Sequence, residues 1–381
     1  MVPVGLVRQQ ALSRVITDIW VAPGTVSSAI FRRLRSVYHS ELDGRVSAFT
    51  ASTLMFEAGQ ALAGTRGWDR MMRRNEWFQD RALNVLRRRE IDANVLCSYS
   101  YTARRLFEHA KASGWKTVLV QIDPGVAEER LVAAAHARHP GFEANWHPAP
   151  AEYWVNWRQE LTLADRIVVH SPWSRDALLA EGVPADKLVV VPLAYEAPRE
   201  AARFERRYPD RFTNERPMRV LYLGSVNLRK GALALLDAAR EMRNDPVEFV
   251  VAGPNAIDLS SRADDGGRIR WMGSVPRGET SAVYRDADVF LLPTLSDGFG
   301  LAQLEAQAWR LPLVTTANCG AVVRDGVNGA LLRESSGTEI ASVLRRMIAQ
   351  PSTLVEMSRE ARVDEQYHPD HFATALRESL Q

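Results

Sequence analysis

The chain has 381 residues, 46% hydrophobic and 25% charged, a composition that excludes a disordered or fibrous protein and a length sufficient for two separate cores. The formal net charge of +2 is unevenly spread: residues 1–116 hold 18 Lys and Arg against 10 Asp and Glu, an excess of eight that leaves −6 for the remainder. Two cysteines, Cys97 and Cys319, lie far apart and outside any CxxC or His/Cys cluster, so neither a disulfide framework nor a zinc site is expected.

In chain order, the opening "MVPVGLVRQQALSRVITDIWVAPG" reads as a helix followed by a strand. Arginines then cluster in "FRRLR" (31–35), "RMMRRNEW" (70–77) and "RRR" (87–89), interleaved with Trp68, Trp77 and Phe78. They suit either a solvated helix face or a peripheral contact with an anionic membrane surface. No apolar run approaches the roughly 18 residues of a membrane span, and Arg8 and Arg14 stand where a signal peptide needs its apolar core, so a cytoplasmic or membrane-peripheral location is expected.

Short β-branched runs follow at 116–122, 165–171 and 187–193, and again at 219–225, 248–253 and 288–294, spaced by helical patterns. Apolar strands of this kind imply parallel sheets covered on both faces, an α/β protein. Between Leu193 and Met218 the pattern lapses into a strandless stretch with three prolines, which marks a domain boundary. A first domain of about 1–200 and a second of 215–365 are expected, followed by a terminal segment, 366–381.

Ligands of open α/β sheets sit beyond the carboxyl ends of the strands. Two loops there are distinctive. In "LGSVNLRKGALALLDAAR" (223–240) a strand ends at Gly224 and a helix begins near Gly231, with Leu233, Leu236 and Ala239 on its inner face. Arg229 and Lys230 stand at its start, where cations beside free N–H groups form an anion site; the structural alternative is solvated charge. In "LPTLSDGFGLAQLEAQ" (292–307) Gly298 and Gly300 permit close backbone approach to a ligand. The amides of 298–300 are free to open a helix toward a phosphate or sugar. Glu305 follows Leu301 by four residues and shares the expected buried face with Leu304 and Ala308, so it needs a partner such as a ribose. The structural alternative makes Asp297 a helix cap and pairs Glu305 with a nearby Arg.

Seven residues separate Asp297 from Glu305. This spacing resembles the E-x7-E signature of the retaining family-4 glycosyltransferases, also called glycosyl transferases group 1. The blocks at 220–238, 269–316 and 319–332 are similar to that family's donor domain, and 160–196 resembles the end of its acceptor domain. The resemblance implies a GT-B fold: two Rossmann-like domains facing across a cleft, with a C-terminal helix ("DHFATALRESL") crossing back to the first. It implies a nucleotide-diphosphate-sugar donor, a glycan, lipid-linked or small-molecule acceptor, retention of anomeric configuration, and neither metal nor other cofactor. By position, Lys230 would bind the pyrophosphate, Asp297 the transferred sugar, the main chain of Gly298, Phe299, Gly300 and Leu301 the sugar or phosphate, Glu305 the ribose, and the main chain at Val275 the base. No nucleic-acid partner is implied.

Several positions depart from the family's pattern. Asp297 stands where Glu is usual, one methylene shorter. Ser225 occupies the place of an arginine that joins the lysine on the pyrophosphate, with Arg229 its candidate substitute. The family's acceptor domain usually opens with a strand and a Gly-rich turn, whereas this chain opens as a helix and then a strand, so that first strand is expected to be missing or greatly shortened. Asp123, in "VLVQIDPG", takes the place of a cleft histidine, the alternative being a turn residue before Pro124. These departures leave a second reading open, a non-catalytic sugar-nucleotide-binding partner in a glycan-assembly complex. A two-domain solute-binding protein would need an export signal. "DAD" (286–288) spans a helix end and a strand start and is not expected to bind metal. Trp154 and Trp157 read as core before a sugar platform, and His170 as a hydrogen-bonded loop residue.

Overall fold

The computed structural model describes residues 2–22, 38–88, 91–257 and 267–380. The basic run 31–35 and Arg89 fall outside these.

The first half runs α1 (Val2–Arg8), β1 (Val15–Thr17), β2 (Val46–Ala48), α2 (Thr50–Leu62), α3 (Gly67–Arg88), β3 (Val95–Tyr99), α4 (Arg104–Ala112), β4 (Lys116–Gln121), α5 (Val126–Arg138), α6 (Ala151–Leu163), β5 (Arg166–Val169), α7 (Pro172–Ala180) and β6 (Leu188–Val190). Strands β3 to β6 form a four-stranded parallel sheet in sequential order. The period of two sends Leu119 and Ile167 to one face, against Phe107, Trp157 and Leu178. Val118 and Val168 go to the other, against Phe372 and Leu376. The expected N-terminal helix and strand are present, but β1 is three residues long and pairs in parallel with β2 as a separate ribbon outside the larger sheet. A cavity of about 830 Å³ separates them, lined by Val15 and Ile16 on one side and Val95 to Tyr99 on the other.

The second half runs β7 (Met218–Leu223), α8 (Ala232–Glu241), β8 (Val247–Ala252), β9 (Ile269–Gly273), α9 (Thr280–Asp286), β10 (Val289–Leu292), α10 (Ala302–Ala308), β11 (Leu313–Thr316), β12 (Gly329–Leu332), α11 (Gly337–Ala349), α12 (Pro351–Glu360) and α13 (Pro369–Glu378). Its six-stranded parallel sheet has the order β12-β11-β10-β7-β8-β9. Val220, Phe249 and Leu291 pack on one face with α8 and α11. Leu221, Val250 and Phe290 pack on the other with Leu304 and Trp309. On α8, Leu235 and Leu236 are the buried leucines, while Leu233 sits at the rim of the core rather than on its inner face.

The last helix crosses back as expected. Phe372 and Leu376 of α13 enter the first half's core, and Gln9 Nε2 donates to the Asp370 carbonyl at 3.0 Å. Arg166 Nε donates to the Ser379 carbonyl at 2.8 Å. Among the described residues no helix is long and apolar enough to cross a membrane.

Candidate active site

Strand β7 is flanked by β8 and β10, so the order of the larger sheet reverses there, and a crevice opens where the connections leaving β7 and β10 diverge. Both distinctive loops lead into it. In the first, Asn227 Oδ1 accepts the Lys230 amide at 2.9 Å. Gly231 takes a left-handed φ of 79° before α8, and a Cβ on it would lie 1.9 Å from the Pro293 carbonyl oxygen, so only glycine lets this turn pack on β10's exit. In the second, the Asp297 amide donates to the Asn318 carbonyl at 2.9 Å. The two turns bring Lys230 Nζ into an ion pair with Asp297 Oδ2, and Arg229 Nη1 lies 3.9 Å from Asp297 Oδ1. The macrodipole cost of two cations at a helix start is thereby offset by a carboxylate from the neighbouring loop.

The amides of Gly298, Phe299 and Gly300 donate to no protein acceptor among the described residues. Gly300 has a φ of 78°, and a Cβ on Gly298 would meet the Ile122 carbonyl oxygen of the first half at 1.9 Å. The loop is therefore pressed against the exit of β4. Lys230, Asp297, Phe299, Gly300, Leu301 and Gly224 line a cavity of about 320 Å³ that Ile122 closes from the opposite side. Unpaired N–H groups beside an ammonium suit a phosphate.

Two expectations for α10 need correction. The helix begins at Ala302 rather than at the glycines, because Gly300's left-handed turn interrupts it. Leu301 is its cap residue, 37% exposed and facing the cavity, while Leu304 and Ala308 are buried. Glu305 is half-buried, and its partner is the Tyr284 hydroxyl at 2.7 Å, not an arginine. Burial and this carboxylate raise the Tyr284 pKa well above the ordinary tyrosine range. Ser225, Val275, Arg229 and Glu305 stand outside the cavity's lining. Ser225 contributes its carbonyl to the Tyr222 hydroxyl at 2.8 Å, and Val275 packs half-buried against the core that holds Leu221 and Phe290.

From the first half, Asp123 Oδ1 accepts the Tyr101 hydroxyl at 2.6 Å, the Gly125 amide at 2.9 Å and Gln121 Nε2 at 3.1 Å. Its second oxygen takes no protein donor among the described residues. Burial raises this carboxyl above the usual aspartate value, against the lowering pull of Tyr101 and Gly125. Glu128, in the first turn of α5, was not singled out by sequence reasoning. It accepts the Ser296 hydroxyl at 2.9 Å and lies 3.5 Å from Arg229 Nη1. Burial pushes its carboxyl up to about 7 despite the arginine. Trp173 Nε1 donates to Ser296 Oγ at 3.0 Å and Ser174 Oγ to the Gly298 carbonyl at 3.3 Å, so α7 also grips the second loop. Ser296 lies in the quoted loop, but nothing in the spacing of 125–129 separates Glu128 from the helix's other acids.

The remaining candidates are structural. Asp288 takes a bidentate pair from Arg216 at 2.7 Å, and Asp286 pairs with Arg219 at 2.6 Å. Trp157 is buried, with its Nε1 on Gln121 Oε1 at 3.0 Å. His170 is buried, 3.0 Å from the Val191 carbonyl through Nδ1. Among the described residues no three His, Cys, Asp or Glu side chains come together as metal ligands.

Two parallel-sheet halves, a helix returning from the end of the chain, and a cation-and-amide site at the second sheet's switch point make this a GT-B protein. Solved structures of that architecture are similar to it: Anabaena HepE in complex with UDP matches with a TM-score of 0.60 at 15% identity, covering 97% of this chain and 99% of that one. Sucrose-phosphate synthase from Thermosynechococcus elongatus matches with a TM-score of 0.63 at 17% identity, covering 82% and 79%. Residues 217–350 match the family described as glycosyl transferases group 1. Among curated relatives, the D-inositol 3-phosphate glycosyltransferase of Rhodococcus opacus is 27% identical over 256 residues, 61% of this chain and 56% of its own length. This chain thus spans little more than half the length of that relative.

Proposed function

We propose that the protein is a retaining glycosyltransferase that moves a sugar from a nucleoside-diphosphate donor to a hydroxyl of a glycan, lipid-linked or small-molecule acceptor, without a metal. The observation that carries the reading is the Lys230–Asp297 pair beside three amides with no protein acceptor, at the switch point of a group 1 domain. The donor's pyrophosphate would displace Asp297 from Lys230 and take the amides of 298–300. Cation and amides preorganised around the departing diphosphate stabilise the charge that grows there as the glycosidic bond breaks. Asp297, once released, lies beside the sugar, and Glu305 binds the ribose through the oxygen not held by Tyr284. The main chain at Val275 reads the base, and Asp123 meets the sugar or acceptor through its second oxygen. HepE's complex with UDP supports uracil as that base.

The proposed domain division is 1–200 and 215–365, with a terminal segment, 366–381, returning to the first. Acceptor choice belongs to the first half. There Met55, Leu62 and Met71 are exposed by 76%, 90% and 45%, beside exposed Arg66 and Arg73, which supports peripheral contact with an anionic membrane.

The test is calorimetry of the purified protein against UDP, GDP, ADP and their sugar conjugates, with and without magnesium, followed by a sugar-release assay on any binder. Saturable binding of one nucleotide without magnesium, with slow sugar release, is expected. Binding without release under any acceptor would favour the non-catalytic partner.

A further inference from the structure

The alternating charges of the cleft extend one residue beyond the donor-loop pair. Glu128, Arg229, Asp297 and Lys230 form a row of carboxylate, guanidinium, carboxylate and ammonium, with 3.5 Å from Glu128 to Arg229 and 3.9 Å from Arg229 to Asp297. Only the first member comes from the four-stranded half; the other three leave the six-stranded sheet. Arg229 also donates to the Ser296 carbonyl at 3.3 Å, so its guanidinium is turned toward α5 and not into the 320 Å³ cavity that Lys230 lines. A diphosphate held by Lys230 would place a second, stronger anion within reach of that guanidinium, and arginine favours phosphate geometry.

We propose that Glu128 is the counterion Arg229 exchanges for the donor's diphosphate: a positioning residue that holds the guanidinium across the cleft and takes up a solvent proton when the diphosphate draws it away. The inference rests on the donor reading of the same cleft.

The groups that face Glu128 set the direction. Arg229 favours the carboxylate, Asp123 and Asp297 disfavour it, and the Ser296 hydroxyl donates to it. Its own side chain is only 15% exposed. Removing the single cation and adding phosphate charge leaves a buried carboxylate among anions, which is costly unless it is neutralised. The proton comes from solvent, no covalent bond changes, and the Ser296 hydroxyl turns from donor to acceptor. With a starting value of about 7, a rise of about one unit on binding corresponds to an uptake of about half a proton per site at pH 7.5.

The experiment is calorimetry of UDP binding at pH 7.5 in buffers of differing ionisation enthalpy, on the full chain and on Glu128→Gln and Arg229→Ala. The nucleotide's own phosphate contributes equally to the full chain and Glu128→Gln, so their difference isolates the carboxyl. Expected is an uptake greater by about half a proton in the unmodified chain than in Glu128→Gln, with Arg229→Ala also lacking the excess because its carboxyl gains no proton on binding. UDP binding with equal proton counts in the unmodified chain and Glu128→Gln overturns this inference alone. Binding of neither UDP nor inorganic pyrophosphate overturns the donor reading and this inference with it. Should Glu128→Gln fail to fold, Arg229→Ala decides: an undiminished excess there overturns the exchange.

Discussion

Lys230 and Asp297 are 67 residues apart in the chain and meet as an ion pair because β7 and β10 are neighbours in the sheet. Their loops leave the same edge of the sheet, and the glycine after Lys230 packs on the proline before the second loop. The pair joins one charged residue from each loop, and under the proposed donor reading the diphosphate would take the place of the carboxylate on the ammonium.

Lys230→Ala should weaken UDP binding by about 2 kcal/mol, near thirtyfold in Kd, the scale of one charge-assisted contact. Calorimetry checks it, and an unchanged Kd would make the lysine a mere counterion to Asp297.

Asp297→Asn should separate binding from chemistry. With its carboxylate partner gone, Lys230 is more available to the diphosphate, so UDP affinity holds or rises. Sugar transfer should fall by about a hundredfold or more if the carboxylate stabilises the sugar's developing positive charge. Loss of both together would place the carboxylate in folding of the loop.

If Glu305 holds the ribose as proposed, Glu305→Gln should cost about 1 to 2 kcal/mol of affinity for UDP and leave pyrophosphate binding unchanged. Tyr284→Phe, which removes the 2.7 Å hydrogen bond, should lose less. Equal losses for UDP and pyrophosphate would count against the ribose role.

Glu128 makes stability depend on pH. Its folded value is raised from 4.5 to about 7, so between these values the folded chain keeps a proton that the unfolded chain has released. Stability from this group therefore falls as pH rises through that window. Glu128→Gln lacks the effect, and its Tm relative to the unmodified chain should climb from pH 5 to pH 8. A flat difference would show that Glu128 titrates normally.

Much of the site was legible because its information is local. A glycine beside a charged residue at the end of an apolar strand needs only the strand period and turn chemistry to be noticed, which is how Lys230, Gly298 and Gly300 stood out. The extent of α10 was not legible, since Gly300's left-handed φ of 78° is a choice made by the packing of the loop on Ile122 and Leu292. Glu305 was correctly expected to need a partner, but Tyr284 comes from a helix 21 residues earlier whose register no local pattern supplies.

What the amino-acid order determined by itself is the alternation of apolar strands and helices, the two-part division of that alternation, and the identity of the residues at the strand ends, all consequences of periodicity and backbone preference over a few residues. What only the tertiary structure decided is which strand ends are adjacent and which side chains cross the cleft. Strand order β10-β7-β8 puts Lys230 on Asp297, and the docking of α5 and α7 puts Glu128 on Arg229 and Trp173 on Ser296. Those contacts depend on packing between distant segments, and a charge that is ordinary in its own helix acquires its environment only when another element covers it.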